Sequence, residues 1–300
     1  MTETASKADY ERLRTLSWWV LGAMAAIIVS GATVRLTGSG LGCPDWPNCT
    51  EQRIVSELTI HGMIEQINRF ISIIIVVPVA MATRLVLTKF KGRQDLRYLL
   101  FGMFGVIMAE VVLGAITVWS GLAPQIVMGH MILGMATLVL AAAFQCRAVP
   151  RSEAPTLSKN PWVLTVATLV TVTVFAGAVV TGSGPHGGEE DVPRFALDVS
   201  SVARVHSVLA WLSLIAAAIT SRNRHRAVRS AALTVAAVLT AQGIVGYIQY
   251  FTGVPVGLVW LHMVGAVICA VAATRLAFTG QPEVHLTRRA GPLPNDAIST

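Results

Sequence analysis

The chain has 300 residues, of which 54% are hydrophobic and 13% charged, and its mean hydropathy is +0.63. These values exclude a single soluble globular domain and leave a polytopic membrane protein. A net charge of +7 invites a nucleic-acid partner, but 18 of the 23 Lys and Arg gather at one set of alternating segment ends, so no nucleic acid is expected.

Eight apolar segments, roughly 17–34, 66–87, 97–119, 126–146, 162–181, 202–220, 229–251 and 257–278, approach the length that crosses a hydrocarbon core of about 30 Å. The fold class is therefore all-α. The first segment reads as a retained helix, because the polar, glycine-rich sequence after it lacks a signal-peptide cleavage site. Eight crossings place both termini on the basic side, which carries Arg222, Arg224, Arg226 and Arg229 among others. The opposite side holds only Arg35, Arg53, Arg69, Arg194 and Arg204. The positive-inside rule then gives a multi-pass protein of the cell membrane with both termini cytoplasmic.

The chain repeats itself. GATVRLTGSGLG (31–42) has an echo in GAVVTGSGPHGG (177–188), and 114–130 lies over 246–262 without a gap. In that register Gly121 meets Gly253, His130 meets His262, and Glu110 meets Gln242. The expected architecture is two four-helix bundles related by a pseudo-twofold axis along the membrane normal, with one site in each. The expected units are a cytoplasmic segment 1–16, a first bundle 17–146, a linker 147–160 bearing Pro and Ser, a second bundle 161–278, and a polar tail 279–300.

Asn68, His130, His206 and His262 stand at matched outer ends of the even-numbered segments. A pair of imidazoles on facing helices holds heme iron from both sides, and His206 and His262 are candidates for this. The alternative is an interfacial histidine bonded to a neighbouring carbonyl. The first half keeps His130 but has Asn68 where the second has His206, so a heme there has one strong ligand. His61 lies two helical turns before Asn68 and cannot take the same axial position without a break in the helix. Glu65 shares a helix face with Asn68 and can accept a proton or stabilise positive charge above the iron; alternatively it pairs with Arg69. Glu110, deeper in the third segment, is read as a structural hydrogen-bonding group, and His186 as a solvated loop histidine. Cys43 and Cys49 in CPDWPNC lie on the oxidising side, where a disulfide can persist. Cys146 and Cys269 are read as packing residues.

Together GATVRLTGSGLGCPDWPNC, the Glu-x-x-x-Arg of IEQINR, TGSGPHGG and the contexts of His130, His206 and His262 resemble the heme A synthase family, over about residues 17–278. The resemblance implies oxidation of a heme O methyl group to a formyl group through hydroxylated intermediates. It implies a heme b cofactor between His206 and His262, and a heme O substrate site with Glu65 as catalytic carboxylate, His130 as iron ligand, and Asn68 and Arg69 beside it. It maps the family's loop cysteines onto Cys43 and Cys49. Many members carry Glu-x-x-His-Arg where this chain has Asn68, so two-histidine ligation of the substrate is not expected here. A membrane diheme electron carrier and a heme transporter are the alternatives. Membrane lipid, a heme O synthase, an electron donor and a second copy of the chain are the candidate partners.

Overall fold

The computed structural model describes residues 5–56 and 58–281; most of the expected tail lies outside the described residues. It is all-helical: α1 (Lys7–Leu36), α2 (Ile60–Ile74), α3 (Val76–Lys89), α4 (Gln94–Trp119), α5 (Pro124–Arg147), α6 (Pro161–Ser183), α7 (Val199–Thr220), α8 (Arg226–Phe251) and α9 (Val256–Ala277). Because α2 and α3 share one span, Ile60–Lys89, the described residues contain eight helical stretches long and apolar enough to cross a membrane. Large apolar side chains such as Trp19, Ile73, Val112, Phe175 and Phe251 point outward. In water that surface would be anomalous, whereas in lipid it is the expected exterior.

Two starts lie earlier than the apolar runs suggest. Ser6 and Asp9 form a reciprocal capping box that begins α1 at Lys7, and Leu13 is buried, so most of the expected separate segment 1–16 belongs to the first helix. Thr59 caps α2 by accepting from the Gly62 N–H, which brings Glu65, Asn68 and Arg69 inside a helix. The second span is interrupted at Ile75. Pro78 explains this: it has no N–H for the Ile74 carbonyl one turn earlier. Its counterpart in the second half, α7, has no proline and is continuous.

Within the first four spans α1 packs on α2, α3 and α5, and α4 packs on α3 and α5. Within the last four, α6 packs on α7 and α9, and α8 packs on α7 and α9. Across the middle α1 meets α9, α5 meets α6, and α5 meets α9. The α5–α9 seam carries buried alanines (Ala141, Ala142, Ala270, Ala273), and small residues let two helices approach closely where lipid supplies no hydrophobic drive. The α4–α5 and α8–α9 turns have the same form. Gly121 (φ 61°) and Leu122 (φ 60°) match Gly253 (φ 79°) and Val254 (φ 58°). The Leu122 and Val254 N–H groups reach back to the carbonyls of Thr117 and Gln249, closing each helix as a left-handed cap.

At the end of the molecule where α1 begins and α9 ends, Arg93 and Arg147 both bind Asp95, at 2.9 and 2.6 Å, and donate to the carbonyls of Arg147, Val149 and Pro155. This cluster fixes the start of α4 against the end of α5. We expect Asp95→Asn to leave two partly buried guanidiniums short of charge and to lower stability by about 2 kcal/mol. Denaturant unfolding in detergent measures this loss; a change below about 0.5 kcal/mol would remove the cluster's structural role.

Candidate functional site

A cavity of about 850 Å³ opens among the first four spans, at the end of the molecule that carries the disulfide loop. Its lining is apolar except at a few places, among them Glu65, Asn68, Arg69, Glu110 and His130 from the first half and Arg194 from the loop after α6. A volume of this order accommodates a large cofactor or a substrate of similar size.

Cys43 and Cys49 form a disulfide. The loop it closes is tied to α2 by two side chains. Glu65, almost fully buried, accepts the Cys43 N–H at 2.7 Å on one oxygen and the Arg69 guanidinium at 2.7 Å on the other. Arg69 also donates to the carbonyls of Cys43, Asp45 and Asn48. The i,i+4 pair therefore orients the carboxylate and pins the lid at once. Trp46 of the lid meets Trp119 of α4 edge to face and lines the cavity. His61 bonds the Ser39 hydroxyl at 2.9 Å and is not among the cavity-lining residues.

On the facing wall, His130 Nδ1 lies 2.6 Å from Glu110 Oε2, a close ion-pair contact that is not aligned as a hydrogen bond. Asn68 Oδ1 and Glu110 Oε1 are buried without any partner. Buried polar atoms left unsatisfied are costly, and two around one cavity fit a ligand that would engage them. Glu110 is thus more than the internal structural group its position suggests: a carboxylate behind an imidazole fixes the ring and raises its basicity as a ligand. His130 Cε1 also lies close to Gly114, one turn beyond Glu110.

The last four spans repeat this arrangement with different chemistry. His206 packs on Gly177 and its Nδ1 lies 2.9 Å from the Thr173 carbonyl, one turn earlier on α6. A carbonyl only accepts, so Nδ1 carries the proton and Nε2 keeps its lone pair for a metal. Asp198 caps α7, held down at about 2 by the Ser201 and Ser200 hydroxyls and the Ser201 N–H. His262 packs on Gly246, and its Nδ1 has no partner. The His206 and His262 ring centres are 6.2 Å apart with planes at 75°. One metal ion with bonds of about 2 Å to each ring nitrogen occupies a gap of this order. The residues present therefore fit a metal centre held by two histidines, such as heme iron.

The counterpart of Gly177 is Gly31, and nothing lies within 4 Å of the place where a side chain would begin there. The volume that the His206 ring fills on one side is left open beside Asn68 on the other. The structure thus gathers Glu65, Asn68, Arg69 and His130 at one cavity and His206 with His262 at a second place. His186 departs from the solvated loop histidine expected of it: Nε2 lies 2.9 Å from the Val254 carbonyl and ties two outer loops together. Cys269 is buried, as expected. Sequence reasoning missed Glu110 as a partner of His130 because the pair is distant in sequence. It also left Arg35 and Arg194 as mere loop charges.

Eight apolar helical spans, two imidazoles brought together in one half and a polar-edged cavity beside a single imidazole in the other define a polytopic helical membrane protein with two unequal histidine sites. More particularly, residues 14–274 match the family model COX15-CtaA, described as cytochrome oxidase assembly protein, and the chain belongs to that family. Similar proteins include the heme A synthases of Geobacillus thermodenitrificans (25% identical over 133 residues, 43% of this chain and 42% of that one) and Exiguobacterium sibiricum (28% over 133 residues, 43% and 45%). The heme A synthase of Lysinibacillus sphaericus is 30% identical over 112 residues, 36% of each chain. The match thus spans less than half the length of these relatives.

We expect Arg69→Ala to free the disulfide loop from α2 without disturbing the His206/His262 pair. Hydrogen exchange at residues 43–49 should rise at least tenfold, since several charge-assisted bonds are lost together. Unchanged protection there would show that the disulfide alone orders the lid.

Proposed function

We propose that this protein is a heme A synthase that oxidises a methyl substituent of heme O to a formyl group. The observation that carries the reading is the inequality of the two places: paired imidazoles on one side, and on the other a single imidazole facing an open cavity with an unpartnered asparagine. A permanent redox centre favours two strong ligands, whereas a substrate must enter, react and leave. The matching packing of the two sets of four spans supports the pseudo-twofold pair of bundles, 17–146 and 161–278, joined by the linker 147–160. The basic ends of alternate spans support cytoplasmic termini in the cell membrane.

In this reading His206 and His262 would hold a heme b, which would supply one-electron transfer when bound. His130, oriented by Glu110, holds the substrate on one face, and Asn68 leaves the opposite face free. Two successive hydroxylations of the methyl carbon, each consuming dioxygen with two electrons from the donor and two protons and releasing one water, give a geminal diol, which loses water to give the formyl group. Glu65, held by Arg69 and the Cys43 N–H, is placed to accept a proton from the reacting carbon or its hydroxyl. The lid and its Trp46–Trp119 contact keep bulk water from that carboxylate. Partners in this reading are a heme O synthase as source of the substrate, an electron donor, and membrane lipid, which the farnesyl tail resembles.

Heme extracted from protein co-expressed with a heme O synthase tests the proposal by chromatography and mass spectrometry. Heme b together with heme A or its hydroxylated precursor is expected. His206→Ala and His262→Ala should each lose heme b, while Glu65→Ala should keep it and lower the oxidised product at least about a hundredfold. Heme b alone, with heme O neither bound nor altered, would instead indicate an electron carrier.

A further inference from the structure

We propose that Arg35 and Arg194 form a carboxylate-binding subsite that anchors the anionic side groups of the ligand in the first cavity. The inference rests on the reading that this cavity receives a porphyrin, and it adds how that porphyrin is oriented.

Arg35 comes from the last turn of α1, and Arg194 comes from the loop between α6 and α7, outside the first four spans altogether. Both line the cavity. Neither Arg35 nor Arg194 has a carboxylate partner among the described residues, whereas the cavity's other guanidinium, Arg69, is paired with Glu65. Arg35 donates only to the carbonyls of Thr181 (2.9 Å) and Pro185 (3.4 Å). The two guanidiniums lie within electrostatic reach of one another, so the cavity holds two like charges beside an apolar wall. The Glu65 carboxylate is matched by Arg69, with its other oxygen on the Cys43 N–H, and makes no ion pair with either of them.

Such an arrangement is unfavourable while empty of anions and becomes favourable when carboxylates arrive. The guanidinium fork matches a carboxylate with two parallel N–H···O bonds. A role as a cap for the α6 carbonyls accounts for one Arg35 nitrogen, but it accounts for neither Arg194 nor the shared cavity. Gly187 gives the second observation. A Cβ there would meet Arg194 Nη1, so the guanidinium rests directly against this stretch of backbone. The neighbouring Gly188 (φ 107°) adopts a conformation open to glycine, and its carbonyl accepts the Gly40 N–H at 2.9 Å. The loop carrying Arg194 is thereby latched to the one after α1. The first site is incomplete without this contribution from the second half.

The ligand class that fits is a flat, apolar molecule with two carboxylates on one edge, which a porphyrin with its propionates supplies. Binding by this edge directs the opposite edge inward, between α1 and α5.

The test is an absorbance titration of the full-length protein, its His206/His262 position already loaded, with iron protoporphyrin and with its dimethyl ester. The His130→Ala variant defines which binding belongs to the first cavity. The diacid is expected to bind wild-type protein at least about tenfold more tightly than the diester. In Arg194→Gln the diacid should weaken by about that factor with the diester unchanged. Arg35→Lys, which keeps the charge, should retain part of the discrimination. Equal affinity of wild-type protein for both probes would overturn the subsite while leaving the porphyrin reading intact. Equal losses for both probes in Arg194→Gln would also overturn it, as a purely structural effect. If wild-type protein shows no His130-dependent binding of either probe, the porphyrin reading itself fails.

Discussion

An imidazole buried among apolar helices has two ring nitrogens to satisfy, and how each is satisfied decides what this protein can hold. At His206 the Thr173 carbonyl accepts a hydrogen bond from Nδ1–H, which fixes the tautomer and leaves the Nε2 lone pair free, with the His262 ring centre 6.2 Å from its own. At His130 the neighbour one turn earlier on the facing helix is a carboxylate, Glu110, in place of a neutral group. The geometry has a common form. A glycine on the neighbouring helix (Gly177, Gly114 or Gly246) lets the ring lie against the backbone, and the residue one turn before it (Thr173, Glu110 or Gln242) supplies, or could supply, the polar partner. The histidines are therefore positioned by helix packing, and the remaining architecture serves to keep those helices in register.

Small differences built on that common form separate the two places. Replacing the expected histidine by Asn68 empties the space beside Gly31. Pro78 interrupts the second span just beyond, so α2 leans on α1 rather than following α4. The disulfide loop, held by Glu65 and Arg69, then covers the opening from above. The last four spans have no such break, and α7 lies along α8 for a fuller contact. One half brings two imidazole rings together, whereas the other is a cavity with a lid beside a single imidazole.

Much of this was legible in the sequence because hydrophobic runs, glycine punctuation and repeated histidines are local signals. Eight spans, the linker at 147–160 and the grouping of Glu65, Asn68 and Arg69 follow from periodicity and spacing alone. The cysteines six residues apart are bonded, as their compartment suggested. Other features were hidden because they depend on contacts far apart in the chain. The Glu110–His130 contact joins two helices, the His186–Val254 bond joins two outer loops, and Arg194 enters a cavity built mainly by the other half. The early start of α1 was missed for a different reason: a capping box and a single buried Leu13 extend the helix beyond its apolar run, and hydropathy does not register them.

The central claim, that the halves are unequal at the iron, is tested most directly by electron paramagnetic resonance of the ferric protein with both places loaded. We expect one low-spin signal that disappears in His206→Ala and one high-spin signal that disappears in His130→Ala. Asn68→His should convert the second signal to low spin, since it restores a strong ligand to the open face. Two low-spin signals in the wild-type protein, each indifferent to Asn68, would contradict the account.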